Sequence, residues 1–442
     1  MRQKRTHQTF EKNQNHPLEQ RHTRNPLTAL AVLTVSSPLL ISNAHAVGLQ
    51  LMPGSSNFGT AGAGHAAEGN GAGSSWANPA TMSLVEGNQI GFGAIVADTD
   101  LQFEADDPTQ DSGGDSGSTL LIPSFAYVHS LSDDVKLGFS VLAPFGSEID
   151  YGSQWTGSNA VTSASVQTIQ AQPTISFRVN DHLSLGGGIN INYTMAEQEL
   201  SPSFTQNMPG PLPDPTVDAD LALDADGIEY GWTAGALWEF NQQHRVGVVY
   251  RSEVETDLKG DADITANFNG TQLMDSSATT RLNWENPASV MVSGYHQLTD
   301  KTAVLWDIGR TFYSNFETTT INADLGGGLD IPIERNWQDA NRYAIGGHYQ
   351  LTQNVTLQAG FSYDESPVET EDRTADLPLD DIKRYTLGAV YQANEQTELA
   401  FGIEYADLGN AKIEQHEGLL SSPAGDYDNS AVAASMSVNY KF

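Results

Sequence analysis

The sequence predicts an all-β chain: a fourteen-stranded antiparallel transmembrane β-barrel with an N-terminal hatch in its lumen. Three observations carry this. An aromatic residue precedes a short polar turn at six places, roughly fifty residues apart, which is the length of one long hairpin of tilted spanning strands. Apolar and polar residues alternate with period two between those turns. The chain also ends on an amphipathic strand, Ala434, Met436, Val438, Tyr440 and Phe442.

Taken in order, residues 1–46 read as a signal peptide. Arg2, Lys4, Arg5, Lys12, Arg21 and Arg24 precede an apolar run from Leu27 to Ile41, and Ala44-His45-Ala46 is a small-residue cleavage signature. That run is shorter than the roughly 20 residues of a spanning helix, so the mature chain is expected to be exported rather than anchored by it. The whole sequence carries 21 basic and 55 acidic residues. Removing the leader, with its six basic and two acidic residues, leaves 15 against 53, a formal −38. A nucleic-acid partner needs a basic face and is excluded. The absence of cysteine rules out a disulfide framework and a thiol nucleophile.

Residues 47–88 are expected to form the hatch. The ribbon Gly59-Thr60-Ala61-Gly62-Ala63-Gly64-His65-Ala66-Ala67 has side chains too small to bury a core, so its walls must come from elsewhere. It closes on Trp76-Ala77-Asn78-Pro79-Ala80.

Residues 89–442 supply those walls. The six turns follow Tyr127, Phe177, Trp238, Tyr295, Tyr349 and Tyr391, whose rings are expected to form the girdle at the periplasmic interface. Six turns join seven hairpins, so strands are expected near 89–103, 119–131, 135–150, 164–180, 182–198, 228–241, 244–258, 278–298, 301–319, 336–351, 354–366, 382–393, 397–415 and 430–442. Leu121, Pro123, Phe125 and Tyr127 share one face, as do Tyr230, Trp232, Ala234, Ala236 and Trp238, and Tyr385, Leu387, Ala389 and Tyr391. A water-soluble sandwich would turn such a face inward; a barrel turns it to lipid. The terminal strand resembles the signal read by the outer-membrane barrel-assembly machinery, through Tyr440-Lys441-Phe442. The expected setting is the outer membrane of a Gram-negative bacterium, as a multi-pass monomer among membrane lipid and lipopolysaccharide.

Within the third strand, Pro144 lacks an amide hydrogen and Gly146 a side chain, so Pro144-Phe145-Gly146 is expected to break the ladder and bulge. The alternative is an ordinary loop start. Arg251, Arg342 and Arg384 fall on the lumen side, with Glu253 beside Arg251. They are positioned either to hold a ligand carboxylate or to pair with Glu253, Asp307 and other lumen acids and brace the hatch.

Several of these stretches resemble the FadL long-chain fatty acid transporter family: the Gly-rich ribbon ending Asn78-Pro79-Ala80, the Pro144-Phe145-Gly146 break followed by Trp155, Tyr250-Arg251-Ser252-Glu253 with Lys259-Gly260, and Asp364-Glu365-Ser366-Pro367. The similarity runs from about Gly48 to Phe442. It implies a plugged outer-membrane barrel in which a hydrophobic ligand is caught at an extracellular groove, passes to an inner pocket, and leaves sideways beside a kinked third strand. Asn78-Pro79-Ala80 matches the hatch motif near that gap. Passive uptake of long-chain fatty acids is the expected function, and uptake of aromatic or aliphatic hydrocarbons is the alternative ligand class. A surface adhesin or structural barrel would need neither plug nor strand break.

Enzymatic readings are weak. Gly114-Asp115-Ser116-Gly117 mimics a serine nucleophile motif without a histidine partner, and Gly62 to Ala67 mimics a dinucleotide fingerprint without strand and helix around it. His65 has no metal-ligand spacing. No cofactor and no metal are expected.

Overall fold

The computed structural model describes residues 57–69, 71–205, 216–315, 318–323, 329–414 and 423–442. The leader 1–46 and the first ten hatch residues lie outside them, as does most of the Pro-rich loop after the fifth strand.

Fourteen antiparallel strands close on themselves. They are Gln89–Ala105, Thr119–Ser130, Val135–Asp150, Ser163–Arg178, Leu183–Leu200, Thr216–Glu239, His244–Arg251 continued by Val254–Phe268, and Thr271–Asn286 continued by Ala288–Thr299. Then come Thr302–Phe312, Ala340–Gln350, Val355–Asp364, Ile382–Gln392, Thr397–Asp407 and Gly425–Lys441. The first strand pairs with both the second and the fourteenth, so the barrel has no seam left open by the chain ends.

The alternating pattern resolves as expected. Tyr230 is 66% exposed and Trp232 51%, whereas Thr233 and Leu237 on the opposite face are buried. Exposed large apolar side chains repeat around the wall at Tyr343, Tyr385, Leu387, Ile403 and Tyr440. A band of this size is stable only against lipid.

Tyr295 departs from the girdle expectation. It faces the lumen, with the Arg245 guanidinium 3.9 Å from its ring centre. The outward position beside it is Gly294, over which the indole of Trp306 lies, so Trp306 is the aromatic at that point of the rim.

Strands six to eight are longer than expected. The sixth begins at Thr216 and the eighth at Thr271, joined to the seventh by a two-residue turn at Asn269-Gly270. Both turn residues have positive φ, 47° and 75°, the geometry for which Asn-Gly is the favoured sequence. Along this hairpin the outward positions are Glu255, Asp257, Lys259, Asp261 and Asp263, all exposed and charged, so it stands above the apolar band. A further short hairpin, Thr318–Ala323 with Leu329–Glu334, lies where the ninth strand was expected to end.

The hatch fills the lumen. Its turns at Phe58–Thr60 and Gly71–Gly73, the single helical turn Ser74–Ala77 and the 3-10 turn Pro79–Leu84 are almost wholly buried. Asn78 caps the last of these, its Oδ1 accepting from the Ala80 amide at 3.0 Å, with Pro79 at the first position where no amide is needed. The wall receives the ribbon through inward glycines. A methyl group on Gly247 would land on the Ala66 carbonyl oxygen, and one on Gly235 would land on the Asn78 carboxamide.

Candidate functional site

The third strand is bulged. Its pairing with the fourth shifts register between Leu142 and Phe145, where two residues, Ala143 and Pro144, face one on the partner. Its ladder with the second strand runs from Ser130–Lys136 to Ser124–Leu142 and stops there. The second strand continues on the first to Thr119, and the third continues on the fourth to Asp150. The two strands therefore part above Leu142, and the Asp150 amide at the end of the third donates to the carbonyl of Ser116, just before the second, at 3.0 Å. Pro123 occupies the first unpaired position on the second strand, so proline stands on both lips. In the sequence Pro123 reads only as part of an apolar face; the available signal was a proline within each of two consecutive strands.

Ser116 belongs to this closure. Its hydroxyl is buried and donates to the Leu101 carbonyl at 3.1 Å, which makes it a loop staple rather than a nucleophile.

The inner side of the parting is apolar. Ile95, Ala97, Leu120, Ile122 and Ala143 form one buried cluster, with Phe58 of the hatch packed against it. A cavity begins there and runs between hatch and wall to Arg342, Arg384 and Glu404. At the polar end Asp364 accepts from Arg342 at 2.7 and 2.8 Å and also from Arg384, whose Nε lies 3.7 Å from Glu404. The cavity is thus amphipathic, greasy beside the parting and ionic at the far end.

A second cavity lies towards the long-loop end, lined by Val166, Ala196, Leu223, Leu282, Trp284 and Arg335 among others. Arg335 grips Asp376 with two bonds, 2.9 and 2.6 Å. Burial alone would raise the Asp376 carboxyl, but the guanidinium outweighs it and holds the group below the usual carboxylate range. Beside this cavity, loops close over the mouth on a core that includes Phe103, Trp155 and Tyr427, with the Tyr151 and Tyr427 hydroxyls 2.9 Å apart.

The three arginines do different work. Arg251 donates to the hatch carbonyls of Trp76 at 2.6 Å and Ala77 at 3.1 Å and lies over the Trp76 ring. It does not pair with Glu253, which accepts from Asn315 at 2.6 Å and clusters with Glu255 and Glu285. Arg342 bridges wall and hatch, donating to Asp364 and to the Ala61 carbonyl. Of the three, Arg384 lines the cavity without a hatch contact among the described residues. Arg245, which the sequence did not single out, donates to the Ala67 and Glu68 carbonyls at 2.7 Å each. From the opposite sign, Asp307 accepts the Gly64 amide at 2.9 Å. His65 is buried against Trp76, and burial followed by the charges of Arg251 and Arg342 holds its imidazole well below the ordinary range, so it is neutral.

Asn78-Pro79-Ala80 sits away from the parting. The Asn78 carboxamide donates to the Ala66 carbonyl at 2.7 Å and to Ala236 and Val248 of the sixth and seventh strands at 3.2 and 3.4 Å. Ala80 lies against Gly186 of the fifth strand. The hatch residue that reaches the parting is Phe58, about twenty positions earlier.

The family model described as "Outer membrane protein transport protein (OMPP1/FadL/TodX)" matches residues 38–442. The chain belongs to this family. Its relatives include the long-chain fatty acid transport protein of Escherichia coli K12, 25% identical over 89% of this chain and 95% of that one. Outer membrane protein P1 of Haemophilus influenzae Rd is 27% identical over 79% of this chain and 83% of its own length. Among solved structures, a Pseudomonas aeruginosa FadL homologue superposes with a TM-score of 0.82 at 21% identity, covering 89% of this chain and all of that one. The Pseudomonas putida toluene transporter TodX gives 0.70 at 20% identity, over 88% and 98%. These establish the barrel fold. OMPP1/FadL/TodX members are outer-membrane transport proteins, and this one crosses the outer membrane of a Gram-negative cell with many strands.

Proposed function

We propose that the protein takes up long-chain fatty acids passively and releases them sideways through the parting between strands two and three. The observation that carries this is the amphipathic cavity, whose apolar end abuts the parting and whose other end holds Arg384. A chain carboxylate would accept from Arg384 Nη2 while the tail lies along Ile95, Leu120 and Ile122. Sideways release spares the tail a passage through water. A second reading, neutral hydrocarbons, is favoured by Asp364 and Glu404, which already offset the positive charge there. The outward Tyr440 and Phe442 support recognition by the assembly machinery.

Uptake of labelled oleate and toluene by a deletion strain carrying the wild-type or Arg384→Met chain tests this. Oleate uptake is expected to depend on the protein and to fall roughly tenfold in the variant, the worth of one charge-assisted hydrogen bond. Rescue of toluene uptake alone would select the second reading, and rescue of neither would refute transport of both ligand classes.

A further inference from the structure

Two imidazoles face each other on the outer wall at the short-turn end of the barrel. His244 opens the seventh strand and His296 lies directly opposite it in the eighth. Their Nδ1 atoms are 3.3 Å apart, with ring centres at 5.4 Å. The Trp306 indole stacks beside His296 at 6.4 Å and 25°. Their neighbours Arg245 and Tyr295 point inward to the hatch, so neither histidine serves the cavity, the hatch or the parting.

Two neutral imidazoles at this distance must share one proton, one Nδ1 donating and the other accepting. Protonating both would set two positive charges side by side. A transition ion resolves the arrangement better. With metal–nitrogen bonds of about 2.0–2.1 Å and an angle between ninety degrees and tetrahedral, two ligand nitrogens lie roughly 2.9–3.4 Å apart, which brackets the observed spacing. The backbone already holds them there: strand eight is hydrogen-bonded to strand seven through His296 and to strand nine through its neighbours. Little ordering is left for the ion to impose.

We propose that His244 and His296 form a binding site for one divalent first-row transition ion, with copper held most strongly and zinc and nickel next. Each Nδ1 gives a lone pair, the donor ring's proton moves to its own Nε2 by exchange with solvent so that both rings stay neutral, and water fills the other coordination positions. Protons compete for the same lone pairs, so binding weakens in acid. The site is invisible to spacing rules because its ligands are 52 positions apart in the chain.

The test uses the full-length mature barrel, without a histidine tag, in detergent. Titration with zinc by calorimetry and with copper by electron paramagnetic resonance should show one ion per chain and, for copper, two nitrogen ligands. His244→Gln or His296→Gln should weaken binding roughly tenfold or more, while His129→Gln and His182→Gln at the same rim should not. Undiminished binding in the first two variants would overturn the site. Should a variant fail to assemble, the wild-type copper spectrum decides alone, since a spectrum with fewer than two nitrogens refutes the pair.

Discussion

Replacing Pro144 and Gly146 by valine will cut hydrophobe uptake roughly tenfold or more without lowering the amount of assembled barrel. Valine at 144 restores the missing donor, and valine at 146 adds a branched side chain where the wall now has none. Both favour a third strand zipped to the second beyond Leu142. Two or three added ladder bonds, each worth about 0.5–1.5 kcal/mol net, would bias the parting shut by one decade or more. A variant lacking Ala143 removes the extra residue of the bulge outright and should behave alike. Heat-modifiable gel mobility measures assembly independently of uptake, so a collapsed barrel cannot pass for a closed one. Full uptake in an assembled variant would detach transport from the bulge.

Gly247→Ala is expected to unseat the hatch and turn the protein into a leak for small polar solutes. The added methyl group would occupy the position of the Ala66 carbonyl oxygen, which also accepts the Asn78 carboxamide bond. Neither side can yield cheaply, because the methyl group would sit on a strand fixed in the ladder and the oxygen belongs to hatch backbone held by the Asn78 bond. The cost of such overpacking is typically about 1–3 kcal/mol, and it falls on the hatch because the strand is fixed in a closed ladder. Sensitivity of cells to a large hydrophilic antibiotic should rise, with barrel assembly unchanged. Unaltered sensitivity would mean that the ribbon shifts without opening a path.

The barrel was legible because lipid-facing strands write their own pattern. The faces from Tyr230 to Trp238 and from Tyr385 to Tyr391 point outward as read, and six turns counted fourteen strands. The hairpin around Asn269-Gly270 was missed although its turn signal is among the strongest known, because above the membrane the outward positions from Glu255 to Asp263 carry charges instead of apolar residues. Tyr295 was assigned to the wrong face because its outward neighbour is Gly294, which leaves no mark. The partners of the arginines were not legible, because they come from distant segments: Arg251 finds Trp76 and Ala77, and Arg342 finds Ala61. No one-dimensional rule points from Pro144 to Phe58, since only the path of the hatch through the lumen brings them near.

The central claim is that cargo crosses the wall between strands two and three. The chain has no cysteine, so a pair introduced at Ile122 and Ala143, which share the apolar cluster at the parting, would be the sole disulfide. Uptake by the double-cysteine variant should be lost on oxidation and return on adding a reductant. Equal uptake in the oxidised and reduced states, with the cross-link verified by mass spectrometry, would contradict passage through this wall.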